Sequence, residues 1–180
     1  MLVNLINGVS AWIERMLGRS LGKQTYTQRY LATGEQELVL LQWPIVSVEY
    51  VKDLQRGTFV DPVLYDHDTT GLIGTLWRDE GFPLHGFRGG LAYDIFAYKR
   101  ALEVQYTAGY VLPQNGTEDD PTTLPYDIQM IVWGAVMQEF SLIQSGAAGL
   151  KAFSISDVSW KFDKEPRQEW LTTLRLYMRL

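Results

Sequence analysis

The chain has 180 residues, 46% hydrophobic and 21% charged, with 16 Lys and Arg against 21 Asp and Glu, two His and no Cys. That length suits a single core of ordinary size, and the lack of cysteine removes thiol nucleophiles, disulfides and every cysteine-based metal site, while two isolated histidines, His67 and His85, cannot build a histidine-rich metal centre. No apolar run approaches the ~20 residues of a membrane span, and Met1-Leu2-Val3-Asn4 lacks the features of a secretory leader, so a soluble protein inside the cell, without a membrane partner, is expected.

Taken in chain order, residues 2 to 17 place Leu2, Leu5, Ile6, Val9, Trp12, Ile13, Met16 and Leu17 three and four apart, which predicts an amphipathic helix stopped by Gly18. The period then changes. Residues 25 to 30, 37 to 42 and 45 to 53 are rich in β-branched and aromatic side chains and read as three short strands, separated by Thr33-Gly34 and Trp43-Pro44. A polar turn with Gly57 follows, and residues 63 to 65 and 72 to 76 read as a further hairpin around Asp66-His67-Asp68-Thr69-Thr70-Gly71. Residues 77 to 100, with six aromatics, four glycines and one proline, read as an ordered loop or irregular β-arm.

Residues 102 to 106 alternate as a half-buried strand ending at Thr107-Ala108-Gly109-Tyr110, and Pro113 to Pro121 has the composition of a surface loop. Pro125 and Asp127 suit the first turn of a helix running to about Ile143. Its centre, residues 130 to 137, is apolar almost all round, which predicts burial on several sides by its own fold or by neighbouring subunits. Residues 153 to 162 read as a strand or bulged hairpin around Asp157. A last helix spaces Trp170, Leu174, Tyr177 and Met178 along one face. The expected class is α+β: an N-terminal amphipathic helix, short antiparallel strands and hairpins, a central apolar helix and a C-terminal helix. One domain over 1–163, with a variable arm at 77–100, would be followed by a docking helix at 164–180.

Little in the chain points to catalysis. The run from Asp66 to Gly71 begins like a calcium loop, but the twelfth position, which requires a bidentate Glu, is Trp77. Gly86, Gly89 and Gly90 lack the strand-to-helix context and Gly-Lys-Ser/Thr signature of a phosphate loop. Neither histidine has a recognisable nucleophile beside it. No catalytic, cofactor or metal residue is expected. Residues 61 to 127 carry four basic and eleven acidic side chains, a distribution that argues against gripping nucleic acid by phosphate neutralisation. Six Trp, ten Tyr and seven Phe suit either subunit interfaces or a sugar-binding platform.

Leu5-Ile6-Asn7-Gly8-Val9-Ser10-Ala11-Trp12-Ile13-Glu14-Arg15 with Leu17-Gly18-Arg19-Ser20-Leu21 is followed in order by Leu41 to Val48, by Val104-Gln105-Tyr106-Thr107-Ala108-Gly109-Tyr110, by Leu124-Pro125-Tyr126-Asp127-Ile128, by Ser154 to Trp160 and by Tyr177-Met178-Arg179. That order of local motifs resembles the head-tail connector (adaptor, head-completion) proteins of long-tailed bacteriophages. Residues 77 to 100 lie outside it. Such proteins often carry another helix before the first one matched here, so either that part is reduced in this chain or another subunit supplies its contact.

The resemblance implies a non-enzymatic virion protein of the neck, made in the host cytoplasm. It would form a homo-oligomeric, dodecameric ring under the portal protein, extend the channel through which genomic DNA passes without sequence-specific binding, and present a docking surface to a tail-side neck or stopper protein. Arg167, Trp170, Leu174, Arg175, Tyr177, Met178 and Arg179 are then the expected portal-docking residues, by helix-in-groove contact. Phe82, Phe87 and Phe96 are expected at a subunit or tail interface, because an aromatic arm exposed in a monomer would be an unexplained apolar patch. The alternatives are a monomeric carbohydrate-binding or tail-tip module using exposed aromatics, and a hydrolase with paired carboxylates.

Overall fold

A computed structural model of the chain describes residues 1–71, 73–85, 100–144, 152–155, 158–161 and 168–178. The chain is α+β and divides into two compact units, a helical one formed by Met1–Ser20 with Leu124–Leu180 and a β-rich one formed by Leu21–Thr123. The C-terminal helix belongs to the helical unit.

In the helical unit, α1 (Leu2–Leu17) follows the expected stripe and buries Ile13 and Leu17. It ends where Gly18 takes a left-handed conformation (φ 68°) and donates its N–H to the Glu14 carbonyl, a geometry that costs a residue without Cβ little. The second helix, α2 (Tyr126–Gln144), has Asp127 in its first turn, where a carboxylate complements the helix dipole. It buries Ile128, Ile131, Ala135 and Val136. The third helix, α3 (Gln168–Arg175), packs on both α1 and α2. The expected strand or hairpin around Asp157 is an antiparallel pair, Ala152–Ile155 with Val158–Lys161, in which Ile155 opposes Val158.

The β unit holds two antiparallel sheets. One has the order β1 (Gln24–Tyr30), β7 (Leu102–Ala108), β3 (Ile45–Asp53), β4 (Thr58–Phe59), and the other β2 (Glu37–Val39), β6 (Thr75–Trp77), β5 (Asp66–His67). Strand β7 is central in the first sheet and buries Leu102, Val104, Tyr106 and Ala108 in strict alternation, as its sequence predicts. Those side chains share one core with Leu38 and Leu76 of the second sheet and with Tyr30, Leu40, Val51 and Phe82. Beyond β7 the chain passes so close to Gly22 that a Cβ on Gly109 (φ 108°) would lie 2.5 Å from the Gly22 carbonyl oxygen. Only glycine fits there.

The expected strand at 72–76 runs from Thr75 to Trp77, with Leu72 outside the described residues, and two other expected strands differ, each for a local reason. The segment 37–42 stays in a strand only to Val39, because the next backbone donors find other acceptors: Leu40 N–H the Gly74 carbonyl, Leu41 N–H the Tyr30 hydroxyl and Gln42 N–H the Tyr106 hydroxyl. Residues 63–65 do not form a strand. Pro62–Leu64 is a turn of 3₁₀ helix, started by Pro62 and capped by the Asp61 carboxylate, which accepts the Val63 N–H at 3.0 Å. The strand of this hairpin is Asp66–His67, inside the segment read as its turn.

Candidate interaction surfaces

The α2 helix is not buried all round. Tyr126, Met130, Trp133 and Met137, spaced four, three and four apart, form a ridge on which these side chains are 79, 59, 62 and 48% exposed. At 100° per residue, half-buried Phe140 and exposed Gln144 continue the same line, with Gln129 and Ser141 at its margins. No residue of that face carries a charge. The two acidic residues of the helix, Asp127 and Glu139, project elsewhere on the wheel.

A second uncovered surface continues a buried one. The stripe that buries Ile13 and Leu17 runs back along α1 to Ile6 and Leu2, both exposed, with exposed Val3 and Met1 beside them. Residues 1 to 13 contain no charged side chain. The helical unit thus shows two apolar surfaces of different sequence.

The residues expected to dock a partner are divided between inside and outside. On α3, Leu174 is buried and Trp170 lies against α2, its ring 3.0 Å from where a Cβ on Gly134 would be. The Tyr177 hydroxyl donates to the Asp127 carboxylate. This apolar face holds the C-terminal segment to its own unit, which takes Leu174 out of a partner's groove. Arg175 and Met178 face outward, with exposed Leu176 between them. Arg167 and Arg179 lie outside the described residues, as do Phe87 and Phe96.

Phe82 is a correction. It was expected on an exposed arm, but it is buried in the core of the β unit, because residues 78–85 run alongside 32–36: Arg78 N–H donates to Gln36 O, Phe82 N–H to Glu35 O and His85 N–H to Ala32 O. The start of the arm is fixed by its backbone.

No family model matches the sequence, and no curated protein does. Solved structures do. One chain from the neck of an empty GTA particle, with C6 symmetry, aligns over 99% of this chain and 78% of its own at a TM-score of 0.56 and 14% identity. Another, from the neck of a native GTA particle with C12 symmetry, aligns over 99% and 82% at 0.55 and 12%. The chain has the fold of a particle neck protein.

Within that neck fold the polar groups of the β unit serve structure. Asp53, at the end of β3, is buried: its Oδ1 accepts the N–H groups of Gln55 and Arg56 (2.9 and 3.1 Å) and its Oδ2 lies 2.7 Å from His85 Nε2. Burial alone would raise its pKa; the His85 bond and those backbone N–H groups outweigh burial and hold the carboxyl below the usual carboxylate range. The hydroxyls of Tyr30 and Tyr106 each donate to Gln28 Oε1 at 2.7 Å while accepting a backbone N–H from 41–42, and burial pushes the Tyr106 phenol far up. Asp68, in the loop that begins like a calcium site, spends its carboxylate on Thr70 N–H, the Thr70 hydroxyl and Ile73 N–H. Among the described residues no three His, Asp or Glu are grouped to hold a metal ion, and no helix is long and apolar enough to cross a membrane. Asp53, Gln28 and Tyr30 carry no sequence signal for these roles: beside local bonds to Gln55 and Arg56 and between Tyr30 and Gln28, their other partners, His85 and Tyr106, lie 32 to 78 residues away and obey no spacing rule.

Proposed function

We propose that this protein is a structural component of the neck of a phage or phage-like particle, an adaptor that forms a ring under the portal, extends the DNA channel and receives the tail-side protein. The observation that carries this reading is the fold match over 99% of the chain to proteins in necks of C6 and C12 symmetry. An order of motifs that resembles phage connectors supports it independently. The excess of acid in residues 61–127 suits a channel lining along which DNA slides without sticking.

The portal-facing element in this reading is the C-terminal segment, with Arg175, Leu176 and Met178 as its outward residues and Arg167 and Arg179 as further basic contacts. Trp170, Leu174 and Tyr177 present these residues by holding the segment in place. Phe87 and Phe96 of the arm meet a neighbouring subunit or the tail side. The test is a mass measurement by light scattering of the protein alone and after mixing with the portal of the same phage. Several copies co-migrating with each portal ring are expected. A monomer that ignores the portal overturns the reading, and sugar affinity in that monomer would favour a carbohydrate-binding module.

A further inference from the structure

We infer that the α2 ridge of one copy, Tyr126, Met130, Trp133 and Met137, docks on the uncovered N-terminal half of α1, Leu2, Val3 and Ile6, of the next copy. The inference rests on the ring reading above and names the contact that would build the ring. Charge restricts the partner: the ridge presents no ionised group over about three helical turns, so a partner surface bearing charges would be desolvated there without compensation. The N-terminal half of α1 meets that requirement, since its side chains are uncharged through Ile13.

Geometry agrees with this pairing. Spacings of four, three and four give a straight seam suited to a second helix crossing at a shallow angle. On α1 the receiving stripe is the continuation of a face that is already buried further along, at Ile13 and Leu17, so a helix laid over Leu2 and Ile6 extends an existing core.

Area points to a second copy. With large side chains burying about 150–250 Å² each, the ridge leaves on the order of 500 Å² open, within the ~300–600 Å² range of the largest patch on a typical monomer. Met1, Leu2, Val3 and Ile6 leave a comparable area, on the order of 400 Å². The ridge is more than half, and the α1 patch about half, of the roughly 800 Å² per partner of a standard interface. A foreign partner seated on one surface leaves the other in water. A second copy covers both by one operation, and a contact between two unlike patches repeats from copy to copy until it closes.

The test uses the full chain with two single variants, Trp133→Glu on the ridge and Ile6→Glu on α1. Both sites are exposed, so circular dichroism and melting temperature should match the parent; Met137→Glu and Leu2→Glu replace either variant that does not. With portal present the parent should assemble and each variant should self-associate at least about thirty-fold more weakly, as loss of a central anchor does. Mixed together, the two variants retain one intact contact per pair and should form a one-to-one heterodimer that grows no further. Assembly of Trp133→Glu at parental strength overturns the inference while leaving the neck reading intact. Loss of assembly in Trp133→Glu but not in Ile6→Glu overturns it in favour of a symmetric ridge-to-ridge dimer. A parent that never multimerises overturns the neck reading and this contact together.

Discussion

The hydroxyl of Tyr177 lies 2.7 and 2.9 Å from the two carboxylate oxygens of Asp127, fifty residues earlier in the chain. The bond ties Tyr177, in the segment after α3, to the first turn of α2.

Tyr177→Phe keeps the ring and removes the donor. Asp127 then loses a charge-assisted bond in a half-buried setting, which should cost about 1.5–3 kcal/mol, or roughly 3–12 °C in melting temperature for a chain of this size. Denaturant unfolding checks the size of the loss, and amide hydrogen exchange in α2 and α3 checks its place. An unchanged midpoint would show that the bond contributes nothing net.

Acid sensitivity should originate at Asp53. Its carboxyl is held below the usual range in the folded state, so its contribution to stability is fully present above the unfolded value of about 3.9 and is lost as pH falls through the folded one. Folding stability should therefore drop below about pH 4, and Asp53→Asn should flatten that drop while lowering stability at neutral pH. Chemical denaturation at a series of pH values from neutral to acid tests the slope. A variant with the parental acid slope would place the sensitivity elsewhere.

The two buried tyrosines make a separate prediction. Tyr106→Phe leaves the Gln42 N–H without its hydroxyl acceptor, and Tyr30→Phe does the same to the Leu41 N–H. Each should cost about 1–3 kcal/mol. Both hydroxyls share Gln28 and lie 3.2 Å from each other, so the double variant should lose less than the sum. A double-mutant cycle by urea unfolding measures the coupling, and strict additivity would mean the two hydroxyls act independently.

How much was legible in the sequence depended on whether a residue's neighbours were local. The helix over 2–17 and the strands over 45–53 and 102–106 were readable because a stripe or an alternation is written in consecutive side chains; the last of these runs two residues further, to Ala108. Gly18 and Asp127 were readable because caps and first turns have their own residue preferences. The ridge on α2 was half legible: an apolar sequence all round says that every face will be covered, but not which face the chain covers itself. Phe82 misled because aromatic content says nothing about direction, and its burial is decided by backbone pairing with residues 32–36. The His85–Asp53 pair, 32 residues apart, and the Tyr30–Tyr106 pair, 76 apart, depend on the register of the folded sheets and loops. No short pattern encodes that register.

The portal-facing role of the C-terminal segment can be tested only through its outward residues. Deleting the segment or replacing Leu174 removes a buried side chain that packs within the helical unit, and a large-to-small change at such a site costs about 2–5 kcal/mol, so loss of binding would report unfolding. Arg175 and Met178 are exposed instead, and their replacement should leave stability within about 0.5 kcal/mol. If the segment docks on the portal, Arg175→Glu with Met178→Ser reverses one charge and removes one apolar contact from the interface. Portal co-migration should then weaken at least tenfold, about 1.4 kcal/mol, with the melting temperature unchanged. Tail-side binding, which uses a different surface in this reading, should persist. Undiminished portal binding by the double variant would move the docking site off this segment, and equal losses on the portal and tail sides would point to assembly of the ring as the step affected.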